Sequence, residues 1–360
     1  MRVALAHEYF SQWGGAERVT EVLHDMWPAA PVYTLFVESR YRRALGGWDI
    51  RSSWLQSVAR AHGLHRLLLP LLPRAVESLR VDAVDVLVSS SSAFIKGVAV
   101  PAGSRHVCYC HSPTRYLWDW SADYLREEVP RALRGVVRSV LDPLRAWDRA
   151  AAARVHRFVA NSDAVRARIR RYYERDAEVV HPPVDVASFA VAAEREDFYL
   201  VVSRLVAYKH VDAAIRAFNE LGTRLKIVGE GRDRRRLERM ARDNVEFLGR
   251  QRDDKLRELL AASRGLIFPA EDDFGIVCVE SLASGRPVLA LGRGGVPEIV
   301  DDGRTGIVFD APTPEAIIDA VRRAEATRFD SRELRRSAER FDISLFKERM
   351  AAIVAEEANK

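Results

Sequence analysis

Four carboxylates in the C-terminal half of the chain have the types and the spacing of a ligand-binding site. Glu271, Asp272 and Asp273 follow one another directly, and Glu280 comes eight residues after Asp272. A carboxylate at Glu280 can accept hydrogen bonds from both hydroxyl groups of a ribose. The backbone N–H groups at the start of a helix attract an anion or a hydroxyl oxygen. The pattern indicates a site for an anionic, hydroxyl-rich ligand, although Asp272 alone also fits a helix N-cap and Glu280 alone a solvated helix surface.

The sequence around these carboxylates predicts two successive strand–helix units. GLIFPA is a short apolar run bounded by turn residues, which suits a buried strand. A helix is predicted to open at Phe274-Gly275 and to close at Gly285, and PVLAL forms the next strand. A glycine loop and another helix start follow that strand, at Gly292, Gly294, Gly295, Val296, Pro297 and Glu298. Both loops are expected at the carboxyl edge of a parallel sheet, where open α/β folds bind ligands.

This stretch resembles the signature of a known enzyme family. EDDFGIVCVESLASGRPVLA, followed by GGVPEIV, is similar to the carboxylate–x7–Glu pattern of family 4 retaining glycosyltransferases of the GT-B fold. The resemblance implies that Glu280 holds the ribose of the donor nucleotide. It implies contacts with the donor sugar and phosphate from Phe274, Gly275, Ile276 and Val277. The first acidic position is usually Glu in this family, and here it is Asp272, whose side chain is one methylene shorter.

Length and composition bound the class of protein. A chain of 360 residues is long enough for two domains, and 48% hydrophobic with 30% charged residues fits a globular protein. Three cysteines argue against a disulfide framework, and no apolar run approaches the roughly 20 residues that span a bilayer. The first residues read as a strand without a signal-peptide pattern, so we expect a cytoplasmic location. The pI near 9.2 permits anionic partners without choosing among them.

The N-terminal half begins with a strand and a glycine loop. RVALAH is followed by Gly14 and Gly15, just before a predicted helix, where backbone can approach a ligand closely. The GxGxxG fingerprint of dinucleotide-binding enzymes is absent from the sequence. The position of the loop after the first strand resembles the N-domain glycine loop of the family, which implies contact with the donor phosphate or the acceptor.

RHVCYCHSPTRYLWDW is the sharpest pattern of this half. HVCYC alternates as a strand and leaves His111 at its carboxyl end. Cys108, Cys110 and His111 also suggest a metal, but no second ligand pair stands at zinc spacing, so no metal is expected. YCHSPTRYLWD resembles a subgroup of the same family, many of whose members are bacterial mannosyltransferases that build surface polysaccharides. The resemblance implies that His111 reaches the donor sugar near the reaction centre.

Two basic segments of the N-terminal half admit either membrane contact or ordinary packing. Residues 58–80 cluster leucines beside arginines and contain Pro70 and Pro73, and residues 130–154 are predicted to be helical with an interruption at Pro143. Between this helix and a hinge predicted at residues 184–196, RFVANS predicts a strand whose end places Asn161 at the ligand edge of the sheet.

The C-terminal half opens on a second β/α series that carries two cations. The strand FYLVVS delivers Ser203 and Arg204, and Lys209 follows before the next predicted helix. Arginine offers a fork to phosphate oxygens and lysine a mobile charge, so the pair suits a diphosphate, although two solvated cations are the alternative. The segment resembles the phosphate-binding segment of the family. The turn at Gly229 resembles its nucleotide-side loop, and Arg250 is a candidate for the base pocket.

Together these observations predict an α/β protein of GT-B architecture, with two Rossmann-like domains facing each other across a cleft. The predicted domains are residues 1–185 and 196–342, and a last helix at 343–358, with Ile343, Leu345, Phe346 and Met350, packs back on the first. His111, Asp272, Arg204 and Lys209 are the catalytic candidates. No metal or other cofactor is expected, because Arg204 and Lys209 take the place of Mg²⁺.

The predicted reaction is retaining transfer from a nucleotide diphosphate sugar to a saccharide acceptor. GDP-mannose is the favoured donor, and a polyprenol-linked saccharide at the inner-membrane surface fits the basic segments. A non-catalytic nucleotide-sugar-binding partner subunit and a nonhydrolysing nucleotide-sugar epimerase are the alternatives. Nucleic-acid binding is suggested by the pI alone, and the sequence lacks a nucleic-acid-binding motif.

Overall fold

The computed structural model describes residues 1–58, 69–119, 121, 131, 134–192 and 194–360. The chain divides into two compact units. The first unit contains Met1–His181 together with Phe346–Lys360, and the second contains Pro182–Leu345. Each unit is built on its own parallel sheet with helices, so the predicted α/β class with two Rossmann-like domains is confirmed.

The sheet of the first unit is fully parallel. Its strands are β1 Val3–His7, β2 Val32–Thr34, β3 Ile50–Ser52, β4 Val86–Ser91, β5 Arg105–Cys110, β6 Arg157–Ala160 and β7 Ala177–Val179. Within the described residues their order is β3-β2-β1-β4-β5-β6-β7. The central strands are short apolar runs buried on both faces, as parallel sheets covered by helices require. The register pairs His7 with Ser90 and Ser90 with Tyr109, which aligns the carboxyl ends of β1, β4 and β5.

Helices cover this sheet. Among the described residues up to His181 they are α1 Gly15–Met26, α2 Leu55–Val58, α3 Leu72–Glu77, α4 Arg134–Ala153 and α5 Asp163–Tyr173. The α5 helix begins after Ser162, whose hydroxyl accepts a hydrogen bond from the Val165 N–H at 3.1 Å and so caps the helix. No helix in the described part of the chain combines the length and the apolar character needed to cross a bilayer.

The predicted interruption at Pro143 is wrong, because α4 continues through this residue. Proline removes one backbone hydrogen bond and usually kinks or breaks a helix. Leu141 and Leu144, on either side, are both buried in the core of the first unit. Their packing offsets the lost hydrogen bond, since most helix stability in proteins comes from tertiary contacts. Residues 130, 132 and 133 of the predicted segment lie outside the described residues.

The other basic segment falls only partly on described residues. Residues 59–68 lie outside them. The rest is a short 3-10 turn, Leu69–Leu71, followed by α3. Pro73 stands at the start of α3, where its missing N–H costs nothing. Leu72 and Val76 of this helix are buried in the core, so the described part of the segment packs as an ordinary helix.

The second unit repeats the same plan. Its strands are β8 Phe198–Val202, β9 Arg224–Val228, β10 Val245–Gly249, β11 Leu266–Phe268, β12 Val288–Leu291 and β13 Gly306–Phe309. Its helices, among described residues, are α6 Val211–Leu221, α7 Arg234–Glu238, α8 Asp253–Ala262, α9 Ile276–Ala283, α10 Pro314–Ala326 and α11 Ser331–Ala338. The strand order is β10-β9-β8-β11-β12-β13, again parallel throughout the described residues. The predicted second helix start at 296–298 is a single 3-10 turn.

The first unit ends at His181, not at residue 185 as the sequence suggested. The Val184 N–H donates to the carbonyl of Phe341 at 3.1 Å, and Val184 and Val186 are buried in the second core. The last helix, α12 Ile343–Ala358, returns to the first unit from Phe346 onward. Phe346 and Met350 are buried in the first core, whereas Leu345 is 44% exposed and does not pack there.

Candidate functional site

The acidic loop and the glycine loop of the second unit lie backbone against backbone. The Gly295 N–H donates to the carbonyl oxygen of Asp272 at 3.0 Å, and Asp272 and Gly294 form a parallel bridge. Gly294 has φ +64°, and a Cβ there would lie 1.9 Å from the Asp272 carbonyl oxygen. A Cβ on Gly295 would lie 2.5 Å from the Cα of Phe274. Glycine is therefore required at both positions to hold the acidic loop in place.

Helix α9 begins directly after this loop. Gly275 is its N-cap residue with φ +99°, and Phe274 before it is buried with its ring against Phe341. The predicted contact residues Ile276 and Val277 are half-buried in the first turn. The first N–H groups of a helix have no acceptor within the helix, so this turn offers donors to an anion. Glu280, in the second turn of the helix, is 6% exposed, so the solvated-surface interpretation of this carboxylate is wrong.

Lys209 and Asp272 form an ion pair. Lys209 lies in the 3-10 turn Ala207–Lys209 after β8, and only 8% of the residue is exposed, so the alternative of a solvated cation is wrong for it. Arg204, on the same connection, is exposed and donates to the Tyr208 hydroxyl at 2.5 Å. The structure thus brings a lysine and a carboxylate together beside the start of α9. Burial, and next the charge of Asp272, raise the pKa of the neighbouring Cys278 thiol well above its usual value.

Two further loops of the second unit meet at glycines. Gly229 has φ +139°, and a Cβ there would lie 1.9 Å from the carbonyl oxygen of Ser203. The Gly229 N–H donates to the carbonyl of Gly249 at 2.9 Å. Ser203 and Gly229 therefore lie side by side at the ends of adjacent strands. Arg250, directly after Gly249, is exposed at the same edge of the sheet.

In the first unit, His111 is buried at the end of β5. Its Nε2 lies 2.8 Å from the hydroxyl of Ser90 on β4. Burial, and next the charge of His7, lower the pKa of His111 to about 3, so the imidazole is neutral at physiological pH. Asn161 at the end of β6 is also buried, and its Oδ1 accepts a hydrogen bond from the Ser162 hydroxyl at 3.1 Å.

The hydroxyl of Ser90 continues into a buried network that the sequence did not reveal. Thr20 Oγ1 lies 2.9 Å from Ser90 Oγ and 2.9 Å from His7 Nδ1. His7 Nε2 lies 3.8 Å from a carboxylate oxygen of Glu17. Burial alone raises the pKa of Glu17, but the contact with His7 and the backbone N–H groups of Glu17 and Gly14 together hold that pKa below its usual value. In the sequence, the signals for this network were Glu17 and Thr20, three residues apart on α1, and the polar residues His7 and Ser90 at the ends of two strands.

The network ends at the glycine loop. Glu17 Oε2 accepts a hydrogen bond from the Gly14 N–H at 2.9 Å, and Gly14 is the N-cap residue of α1. Gly15, the first residue of the helix, is exposed. The two features that the sequence singled out in this half, the glycine loop and His111, are therefore joined by buried polar side chains through hydrogen bonds and one ion-pair contact.

A second buried cluster, also missed, holds the loop that follows His111. Lys96 pairs with Asp148, and both are at most 1% exposed. Asp148 also accepts hydrogen bonds from Thr114 Oγ1 at 3.0 Å, Trp118 Nε1 at 2.9 Å and Tyr173 Oη at 2.8 Å. A buried charge with this many partners is well compensated. The cluster ties the β5 loop to helices α4 and α5.

His111, Gly14, Gly15 and Asn161 belong to the first unit, and the other predicted site residues belong to the second. Cys108 and Cys110 are buried in an apolar cluster of the first unit. Across the described residues, no group of three or more His, Cys, Asp or Glu side chains is placed to hold a metal ion.

Family models match two consecutive parts of the chain. Residues 13–188 match the model described as glycosyltransferase family 4, and residues 187–341 match the model described as glycosyl transferases group 1. A GDP-mannose-dependent alpha-(1-6)-phosphatidylinositol monomannoside mannosyltransferase from Mycolicibacterium smegmatis is 30% identical over 342 residues, covering 87% of this chain and 79% of that protein.

Other relatives match over shorter stretches. An uncharacterized glycosyltransferase from Methanocaldococcus jannaschii is 30% identical over 130 residues, covering 35% of this chain and 37% of that protein. For this relative and two further curated ones, the match spans 37% to 40% of the relative's length. Among solved structures, HepE from Anabaena in complex with UDP superposes with a TM-score of 0.72 at 18% identity, covering 99% of this chain and 100% of that one. This likeness establishes the fold.

Proposed function

Since the chain belongs to the family 4 glycosyltransferases, we propose that it transfers a hexose, with mannose favoured, from a nucleotide diphosphate sugar to a saccharide or lipid-linked saccharide acceptor. The observation that carries the proposal is the arrangement around α9, where buried Glu280, the Gly275 helix start and Lys209 come together. This set offers an acceptor for ribose hydroxyls, donors for phosphate and a cation for the leaving diphosphate. The GDP-mannose dependence of the relative aligned over 87% of this chain supports the choice of donor.

In the proposed reaction, the bond between the anomeric carbon and the phosphate oxygen breaks, and a bond to the acceptor oxygen forms on the same face. The acceptor proton passes to the leaving phosphate. The positive charge that develops on the sugar ring makes the transition state oxocarbenium-like. Arg204 and Lys209, with the N–H groups of α9, stabilise the charge on the departing nucleotide diphosphate. His111 and the glycine loop of the first unit contribute contacts to the donor sugar and to the acceptor.

The experiment is a calorimetric titration of the full chain with GDP, UDP and ADP in metal-free buffer. We expect one nucleotide to bind, with GDP favoured. Glu280→Ala should weaken it roughly ten- to a hundredfold, because a hydrogen bond to a buried carboxylate contributes about 1.5–3 kcal/mol. Glu258→Ala is the matched control, since this glutamate lies on α8 with its side chain 66% exposed and pairs with Lys255. Absence of binding by all three nucleotides would overturn the proposal.

A test at Asp272 distinguishes an active transferase from the second candidate, a non-catalytic subunit that binds a nucleotide sugar. The specific observation is a carboxylate one methylene shorter than the usual glutamate, held by Lys209. In the assay for transfer, the protein is incubated with radiolabelled GDP-mannose and a polyprenol-linked saccharide in membranes. An active transferase should move the label to the saccharide. Nucleotide binding without turnover, unchanged in Asp272→Glu, would instead favour the partner-subunit function.

A further inference from the structure

A chain of buried polar side chains links His111 to the glycine loop of the first unit. It runs from the Gly14 N–H to Glu17, then to His7, Thr20, Ser90 and finally His111, with the distances given above. The four side chains between the loop and His111 are at most 3% exposed. They come from β1, α1 and β4, so three separate elements contribute to one network.

Such a network is costly to bury unless every member is satisfied. A Ser–His pair by itself does not need this extension. Ser89, the neighbour of Ser90, lies 2.8 Å from Nε2 of His106, and both residues are buried. In this second pair Ser89 lies on β4 and His106 on β5, and among described residues the pair is not joined to Thr20, His7 or Glu17. It therefore provides an internal reference for a Ser–His contact outside the network.

We propose that Glu17, His7, Thr20 and Ser90 are positioning residues, which hold the imidazole of His111 as a single neutral tautomer and couple it to the glycine loop. The proposal rests on the proposed function, in which His111 contacts the donor sugar. The Ser90 hydroxyl carries one hydrogen, and in this proposal its neighbours Thr20 Oγ1, at 2.9 Å, and His7 Nδ1, at 3.3 Å, determine whether that hydrogen points to His111. Nε2 of His111 therefore has one role, donor or acceptor, and Nδ1 presents the opposite role to a ligand.

The ligand class follows from that geometry. A neutral imidazole nitrogen of fixed role recognises a hydroxyl group in one orientation, and it does not add a charge beside an oxocarbenium-like ring. A sugar hydroxyl of the donor fits this requirement better than a phosphate, which an imidazolium would suit. Without the Ser90 hydroxyl, His111 becomes a mixture of tautomers, and only one of them makes the productive hydrogen bond.

The test reads the tautomer directly, by nitrogen-15 NMR of the full chain labelled at histidine. The His111 signals are assigned by their loss in His111→Gln. We expect one neutral tautomer in the parent protein, a mixture in Ser90→Ala, and no change at His111 in Ser89→Ala. This control removes an equally buried hydroxyl bonded to a histidine, so it matches the folding cost of the test variant. A tautomer mixture or an imidazolium in the parent protein, or one tautomer retained in Ser90→Ala, overturns the proposal.

A second pair of variants guards against misfolding of Ser90→Ala. Thr20→Val keeps the shape of the side chain and removes its hydroxyl, whereas Thr20→Ser keeps the hydroxyl. Thr20→Val should give a mixture of His111 tautomers, whereas Thr20→Ser should retain the single tautomer of the parent protein. In the transfer assay, kcat should fall about ten- to a hundredfold in Ser90→Ala and Thr20→Val with KM for the donor within about twofold, because the loss concerns orientation of His111.

The two readouts separate failure of this inference from failure of the proposed function. The NMR signals need no substrate, so a protein without transferase activity still shows whether Ser90 fixes the tautomer. Conversely, an active enzyme whose kcat is equal in Ser90→Ala and Ser89→Ala contradicts the positioning role while leaving glycosyl transfer intact.

Discussion

His106 and His111 show how burial sets the charge of a side chain. Each lies 2.8 Å from a serine hydroxyl, and burial is the main cause that lowers the pKa of each to about 3. A histidine in an unfolded chain has a pKa of about 6.5. Between these two values the unfolded state binds protons that the folded state does not. The free energy of unfolding therefore falls as the pH falls from about 6.5 towards 3.

Acid should destabilise the first unit through these two histidines. At the steepest, each contributes a loss of about 1.4 kcal/mol per pH unit. All seven tryptophans stand between residues 13 and 147, so tryptophan fluorescence reports unfolding of the first unit. Urea titrations at pH 7 and pH 5 should show a clear loss of stability in the parent protein. The loss should be smaller in His106→Gln and in His111→Gln, and an unchanged pH dependence in both variants would contradict the assignment.

Lys209 and Asp272 show how two charged side chains can neutralise each other. Their ion pair satisfies both charges without a ligand, with the side chains 10% and 25% exposed. An entering diphosphate would compete with the carboxylate for the lysine. The sequence identified both residues, but it assigned them separate partners, phosphate and sugar. Only their positions in the fold show that each is also the partner of the other.

Loops of the second unit depend on glycine for two separate reasons. Gly294 has a left-handed φ and also meets the carbonyl of Asp272, so any side chain there is both strained and blocked. Gly303, in the turn before β13, has φ +76° with nothing within 4 Å of its would-be Cβ. A side chain at Gly303 would therefore meet no neighbouring atom, and its cost would be the backbone strain alone, about 1–2 kcal/mol for an L residue.

Gly294→Ala should displace the acidic loop, whereas Gly303→Ala should not. We expect nucleotide affinity to fall at least tenfold in Gly294→Ala, because Asp272 and the start of α9 move away from their positions. Gly303→Ala should lower the free energy of unfolding by about 1–2 kcal/mol and leave nucleotide affinity unchanged. Calorimetry and urea denaturation measure the two effects. Equal nucleotide affinities in the two variants would show that the backbone contact with Asp272 does not matter.

At the scale of the whole molecule, the first unit contains residues from two separate parts of the sequence, Met1–His181 and Phe346–Lys360. Phe346, Met350, Ile353 and Val354 of α12 pack in the core of the N-terminal unit, and Phe346 meets the ring of Tyr109 at 5.5 Å between centroids. Charged pairs join the same helix to the sheet, including Arg105 with Glu357 at 2.9 Å. The first unit is thus completed by residues that follow the second unit in the sequence.

A substitution at the C-terminal end should therefore destabilise the N-terminal unit. Phe346→Ala removes a 2% exposed ring and should lower the stability of the tryptophan-reported transition by about 3–5 kcal/mol. Leu345→Ala, one residue earlier and 44% exposed, is the matched control and should change it by less than about 0.5 kcal/mol. Urea titration followed by tryptophan fluorescence makes the comparison. Equal effects of the two substitutions would contradict the packing of α12.

The sequence by itself determined the fold class and the family. Short apolar runs, turn residues and the acidic and glycine loops are local patterns, and strand and helix formation follows from neighbours in the chain. The pairs Ser203–Arg204 and Phe274–Gly275, and the position of His111 after β5, were predictable in the same way. The continuation of α4 through Pro143 and the exposure of Leu345 were not predictable. Both depend on which face of the surrounding helix is buried, and burial is not a local property of the sequence.

The tertiary structure alone decided which polar side chains meet. Thr20 and Ser90 are 70 residues apart, and Lys209 and Asp272 are 63 residues apart. Parallel strand order places β1 beside β4 and β8 beside β11, and that order sets these contacts. A side chain becomes a positioning group only when the fold buries it beside a partner. The residue types of the site are therefore written in the sequence, whereas its hydrogen bonds, charges and tautomers arise from long-range packing.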